Sequence, residues 1–81
     1  MNDTATRKPR SPKSEILEII GNNIRQLRCN HDMKSSELAN AIGFHPVSIS
    51  KYENGHINMT VTALERFAIF FAVPIEDFFK K

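Results

Sequence analysis

Two short amphipathic segments separated by a single glycine restrict this chain more than any other feature. They lie in MKSSELANAIGFHPVSISKYENGH, residues Met33 to His56. In the first, Leu38, Ala39 and Ile42 share one helical side, and Gly43 follows, the residue that most cheaply gives a left-handed helix exit. In the second, Pro46 suits the first helical position, and Phe44 can staple onto Ile49. Ile49 and Tyr52 then point inward, leaving Val47, Ser48, Lys51 and Asn54 on the outer side. The pattern predicts one helix over about residues 35–42 and a second over about residues 46–54.

The flanking sequence supplies helices to pack against this pair. Ile16, Ile20, Ile24 and Leu27 recur at helical spacing, so a helix is expected from about Glu15 to Asn30, with Ser14 as its N-cap and Glu15 and Glu18 in the first turn. Gly21 interrupts that pattern at a cost of about 1 kcal/mol against Ala, which points to close approach by another helix. Thr60 should cap a further helix with Val61, Leu64, Phe67, Ala68 and Phe71 on one side, ended at Ala72 and Val73 by Pro74. Ile75 to Phe79 can add one or two final turns. No alternating run is long enough for a sheet, so the expected fold is all-α, five helices around one core, over residues 15–81.

Charge has to be read by segment. The formal net charge of +2 divides into +3 on residues 1–14, where Arg7, Lys8, Arg10 and Lys13 face only Asp3, and −1 on residues 15–81, with seven Lys/Arg against eight Asp/Glu. The folded part is therefore no general polyanion binder, and a nucleic-acid footprint would have to be a local patch. Residues 1–14 carry Pro9 and Pro12 and almost no apolar surface, which predicts a disordered basic arm able to touch phosphates or a minor groove. No apolar run has the length of a membrane span, and the N-terminus lacks the apolar block of a signal peptide. A single cysteine excludes an internal disulfide, and a cytoplasmic location is expected.

Candidate reactive groups are sparse. Cys29, His31 and Asp32 lie close in sequence, but a zinc site needs about four ligands at defined spacing. No second Cys or paired His stands near, and His45 and His56 lie too far apart for one helix face. No metal, no cofactor and no nucleophile–base pair is expected, so the chain reads as a binding protein and not an enzyme. Two helices at a steep angle around a glycine turn can, by contrast, lay the second helix in a DNA major groove.

The segments GNNIRQLR (Gly21–Arg28), SELANAIGF (Ser36–Phe44), SISKYENG (Ser48–Gly55) and TALERFAIFFAVPIEDFF (Thr62–Phe79) together resemble the Cro/C1-type (Xre-family) helix-turn-helix domain of phage repressors and bacterial transcriptional regulators. The resemblance covers roughly Ile20 to Phe79. It implies a compact lambda-repressor-like domain acting as a sequence-specific regulator, a homodimer on a palindromic operator. The helix at about residues 46–54 would then read the major groove.

The residues that the resemblance assigns to DNA are His45, Pro46, Val47, Ser48 and Lys51 on the reading helix, Asn54 and His56 after it, and Lys34 and Ser35 at the start of the preceding helix. Val47 can pack on a thymine methyl, and Lys51 can donate to guanine or to a phosphate. Two positions depart from the family. Ser35 stands where a longer Gln is common, and Pro46 replaces a residue that is often polar and base-reading, so shape and water readout gain weight. Arg28 and Glu53 occupy positions that form a partly buried ion pair in some phage repressors.

Phe70, Phe71, Phe78 and Phe79 crowd the last twelve residues. The homodimer seam is expected at Phe70, Ile75, Phe78 and Phe79, since exposed aromatics mark interfaces and palindromes require two-fold proteins. The alternative is a protein-binding module of the antitoxin kind, in which the same Phe-rich end holds a partner protein. Phage repressor, restriction-modification controller and antitoxin subtypes all stay open at this point.

Overall fold

Every helix starts where a side chain or a proline resolves the orphan amides of its first turn. Ser14 Oγ accepts from Leu17 N–H at 3.1 Å and opens α1 (Glu15–Asn30). Glu37 reaches back to accept the Lys34 N–H at 2.7 Å and opens α2 (Ser35–Ile42); Lys34, which has no acceptor on its side chain, contributes only its backbone. His45 Nδ1 accepts from Val47 N–H at 3.3 Å ahead of Pro46, which opens α3 (Pro46–Glu53). Thr60 Oγ1 accepts from Ala63 N–H at 3.0 Å and opens α4 (Val61–Phe71). The fifth expected helix is a 3₁₀ helix, Ile75–Phe79. These elements belong to a computed structural model that describes residues 14–81, all-helical there with no strand among the described residues. The basic arm expected over residues 1–14 lies, apart from Ser14, outside them.

The helix ends are equally determined. Gly43 adopts φ +86°, and both its own amide and that of Phe44 return to the Ala39 carbonyl, at 2.9 and 3.0 Å. α4 reverses at Ala72 with φ +56°, a conformation costly for a residue with a Cβ, and Val73 N–H closes onto the Ala68 carbonyl at 3.0 Å. Asn23 fastens the chain end to α1, its Nδ2 donating to the carbonyls of Phe78 (2.7 Å) and Lys80 (2.8 Å).

The core forms where the four helices converge, from Ile20, Ile24, Leu38, Ala39, Ile42, Ile49, Leu64, Phe67, Ala68, Phe71 and Phe78. Phe67 lies at its centre with no exposure, its ring 5.4 Å from that of Phe44 and 5.8 Å from that of Tyr52. Phe44 is covered from outside by Arg66, whose guanidinium stands 4.3 Å above the ring and donates to the Ile42 carbonyl. α1 approaches α3 so closely that a Cβ built on Gly21 would sit 2.5 Å from the Glu53 carbonyl oxygen. Only glycine permits that contact, which accounts for its presence in a helix interior.

Three expectations, one from the crowding of aromatics and two from periodicity, are corrected. Phe78 is completely buried and serves the core, so its side chain cannot line a dimer seam. Val61 is among the most exposed apolar residues, because it falls at the margin of the side of α4 that Ala63, Leu64, Phe67, Ala68 and Phe71 bury. Ile16 also stays open, at the end of α1 beyond the packed helices. The C-terminal aromatics moreover do not form one patch. Phe70 stacks on Phe71, which meets the His31 ring at the C-terminal end of α1, whereas Phe79 shares a shallow groove with Ile16 and Ile19 at its N-terminal end. At ~1.5 Å of rise per residue those ends are on the order of 20 Å apart.

Candidate nucleic-acid interface

The outer side of α3 follows directly from the burial of its inner side. Ile49 is fully buried and Tyr52 packs against Phe44 and Phe67, so the intervening positions must face away. Val47 is 54% exposed, Lys51 and Pro46 are exposed, and Ser48 is half-buried. Lys51 forms no ion pair with a described residue, so its charge is not neutralised from within. At the start of α2, Lys34 is exposed and Ser35 is half-buried; Lys34 also lacks an ion pair among the described residues.

His45 sits where sequence reasoning placed it, with a structural task added. Its Nδ1 caps α3, so that atom is an acceptor and the remaining ring nitrogen is the one turned to other partners. His56 is exposed and follows the tight exit of α3, its amide donating to the Lys51 carbonyl at 2.9 Å. Asn54 is half-buried and folded back: its Nδ2 donates to the Ser50 carbonyl at 2.9 Å, the same oxygen that accepts the Asn54 backbone N–H at 3.1 Å.

A cluster of charges fixes that end of α3 against α1. Arg28 donates in a fork to Glu53, Nε to Oε2 at 2.6 Å and a terminal nitrogen to Oε1 at 3.0 Å. Its other terminal nitrogen donates to the Met33 carbonyl at 2.8 Å, in the connection between α1 and α2. One side chain therefore ties together α1, the entry to α2 and the end of α3. The Glu53 side chain is only 4% exposed and that of Arg28 16%, so the pair is held largely out of water. The hydrogen bond to Glu53, reinforced by its charge, raises the Arg28 pKa above the ordinary arginine value against the opposing effect of burial.

Arg25 is the residue that sequence reasoning missed. Its guanidinium donates to Asn54 Oδ1 at 2.8 Å, and its Nε lies 3.6 Å from Glu53 Oε1. The signal was present in the spacing: Arg25 lies four residues after Gly21 and three before Arg28, on the side of α1 that Gly21 brings against α3.

A capped α3 set behind a glycine turn, with exposed Val47 and Lys51 on its outer side and a C-terminal end braced by two arginines of α1, has the geometry of a helix-turn-helix domain. The chain belongs to the Cro/C1-type helix-turn-helix family: the helix-turn-helix family model matches residues 24–78. That is a family of DNA-binding transcription regulators and not of enzymes. The search of curated proteins found no match. Among solved structures, the chain is similar to the DNA-binding domain of BldD from S. venezulae (TM-score 0.74, 23% identity, covering 83% of this chain and 100% of that one). It is also similar to the restriction-modification controller protein C.AhdI from Aeromonas hydrophila (TM-score 0.72, 21% identity, covering 78% and 96%). A third similar structure is the wild-type restriction-modification controller protein C.Esp1396I (TM-score 0.73, 25% identity, covering 83% and 86%).

Proposed function

We propose that this protein is a sequence-specific regulator of transcription that binds a palindromic operator as a homodimer, acting in the cytoplasm. The observation that carries the reading is the outer side of α3, where Val47 and Lys51 stand exposed; neither Lys51 nor Lys34, exposed at the α2 entry, has an acidic partner among the described residues. Val47 offers an apolar contact for a thymine methyl, Lys51 a donor for guanine or phosphate, and Ser48 a short hydroxyl. Pro46 brings no amide proton, so the set of direct readers is small, and pairing of two half-sites supplies the affinity that one lacks.

Two exposed apolar patches are available for pairing two copies. Phe79 with Ile16 and Ile19 forms one, and Phe70 with Ile69 and the half-buried Ile75 nearby in sequence supplies the other candidate. Sedimentation at micromolar concentration should give twice the chain mass, with Phe79→Asp or Phe70→Asp reducing it to one chain; a single-chain mass for the unaltered protein would exclude the dimer.

Selection of bound sequences from random duplexes tests the DNA reading and returns half-site, spacing and symmetry together. The expected result is a two-fold site whose recognition is abolished by Val47→Asp combined with Lys51→Ala. Absence of preference for any duplex over competitor DNA would reject it, and would favour the partner-holding, antitoxin-like reading.

A further inference from the structure

The C-terminal end of α3 poses an electrostatic problem for a DNA-binding helix. Helix carbonyls leave a partial negative charge of about half a unit there, and Glu53 adds a full one. A phosphate approaching Asn54 would meet a repulsive field. The fold answers with two arginines from α1, of which Arg28 is spent: its donors are distributed over Glu53 and the Met33 carbonyl. Arg25 is not spent. A guanidinium has five N–H donors, and one terminal nitrogen is engaged with Asn54 Oδ1 while Nε leans toward Glu53 at 3.6 Å. The Arg25 side chain remains 44% exposed and lines an open groove of about 490 Å³ between α1, the end of α3 and the chain terminus.

We propose that Arg25 is a phosphate-binding residue for the duplex backbone, held in place for that task by Asn54. The assignment rests on the regulator reading above and adds a residue to it. Asn54 is the hinge of the arrangement. Its amide nitrogen donates to Ser50 O, which leaves Oδ1 turned toward Arg25 and fixes the guanidinium plane before DNA arrives. A long, flexible side chain ordered in advance forfeits less rotamer entropy on binding than a free lysine would. Its remaining donors fit two oxygens of one phosphate in a fork. The contact follows the backbone and reads no base, so it positions α3 in the groove without setting sequence preference.

The test is the salt dependence of duplex binding by the full chain, measured for the unaltered protein, Arg25→Gln and Arg25→Lys on the selected operator and on an unrelated duplex. One lost phosphate contact reduces the slope of log K against log salt by about 0.9, which corresponds to a loss of about eightfold at ~0.1 M salt and about fourfold at ~0.2 M. Arg25→Gln should show that reduced slope with the same fold loss on both duplexes, and Arg25→Lys should restore most of the slope because the charge is kept. A thermal melt of each variant confirms that the folded fraction is unchanged at the binding temperature. An unaltered slope in folded Arg25→Gln overturns the assignment, as does a loss confined to the operator. If the unaltered protein binds no duplex in a salt-dependent manner, the regulator reading itself fails, and that outcome is distinct from the first two.

Discussion

Replacing Glu53 with Gln isolates the buried ion pair with almost no change of shape. In the folded protein Glu53 supplies two of the three acceptors that Arg28 uses, and the third is the Met33 carbonyl. Gln can still accept one of those bonds, but its amide group turns a donor toward a donor and leaves Arg28 charged in a site where its own side chain is 16% exposed. Removing one partner of a buried pair costs about 3–5 kcal/mol when the site is dry. The residual exposure of Arg28 and the single bond retained by Gln place the expectation near the low end, at about 3 kcal/mol. For a domain of this size each kcal/mol shifts the melting temperature by about 4–8 °C, so Glu53→Gln should lower Tm by roughly 12–24 °C.

Lys51→Ala, two residues away but at an exposed position, should shift Tm by no more than about 4 °C, because surface substitutions stay within ~0.5 kcal/mol. Thermal melts followed by circular dichroism make the comparison. Equal shifts in the two variants would refute the view that the pair holds α1, α2 and α3 together. A cycle with Arg28→Met, alone and combined with Glu53→Gln, refines the test: a coupling above about 1 kcal/mol is expected for residues in direct contact, and additivity within ~0.5 kcal/mol would contradict it. The sign of the pH dependence also follows. The Arg28 pKa is raised on folding, so its contribution is complete at every pH below the ordinary arginine value and is lost only in strong alkali as pH climbs past the raised one.

Further perturbations probe other parts of the fold. Gly21→Ala should destabilise by more than ~2 kcal/mol in urea unfolding, although helix propensity alone predicts a gain of about 1 kcal/mol, because the new methyl meets the backbone end of α3. Phe78→Ala should cost about 3–5 kcal/mol by emptying a fully buried site, while Phe79→Ala should change chain stability little and act instead on the sedimentation mass. Ala72→Gly should stabilise by roughly 0.5–1 kcal/mol by relieving the left-handed backbone at the end of α4; a neutral or lower Tm would show that this turn carries no strain.

The helix boundaries were legible because each is set by nearby residues. Ser14, Thr60, Pro46, Gly43 and Pro74 act within one turn of themselves, and the elements start and stop where those residues stand. The central apolar positions of α1, α2 and α4 were legible too, since a helix of 3.6 residues per turn has one side and the core must cover it. The pattern failed at the margins. Val61 and Ile16 obey the period yet lie exposed, because periodicity identifies a side of a helix but not the width or length over which its neighbours cover it. Phe78 and Phe79 are adjacent and chemically identical, and only the direction in which the 3₁₀ helix turns its residues decides that the first fills the core and the second remains open.

The sequence by itself determined an all-α chain, the glycine turn between α2 and α3, and the outward set Val47, Ser48 and Lys51, because all three depend on local conformation and helical period. The tertiary structure decided how α1 meets the end of α3, a contact foreshadowed in the sequence by Gly21 and, through the family resemblance, by Arg28 and Glu53. There Gly21 admits the Glu53 carbonyl, Arg28 grips the Glu53 carboxylate across 25 residues of chain, and Arg25 is drawn to Asn54 across 29. Bonds of that span depend on the relative placement of two helices, which no local preference encodes, and they fix the short α3 in place.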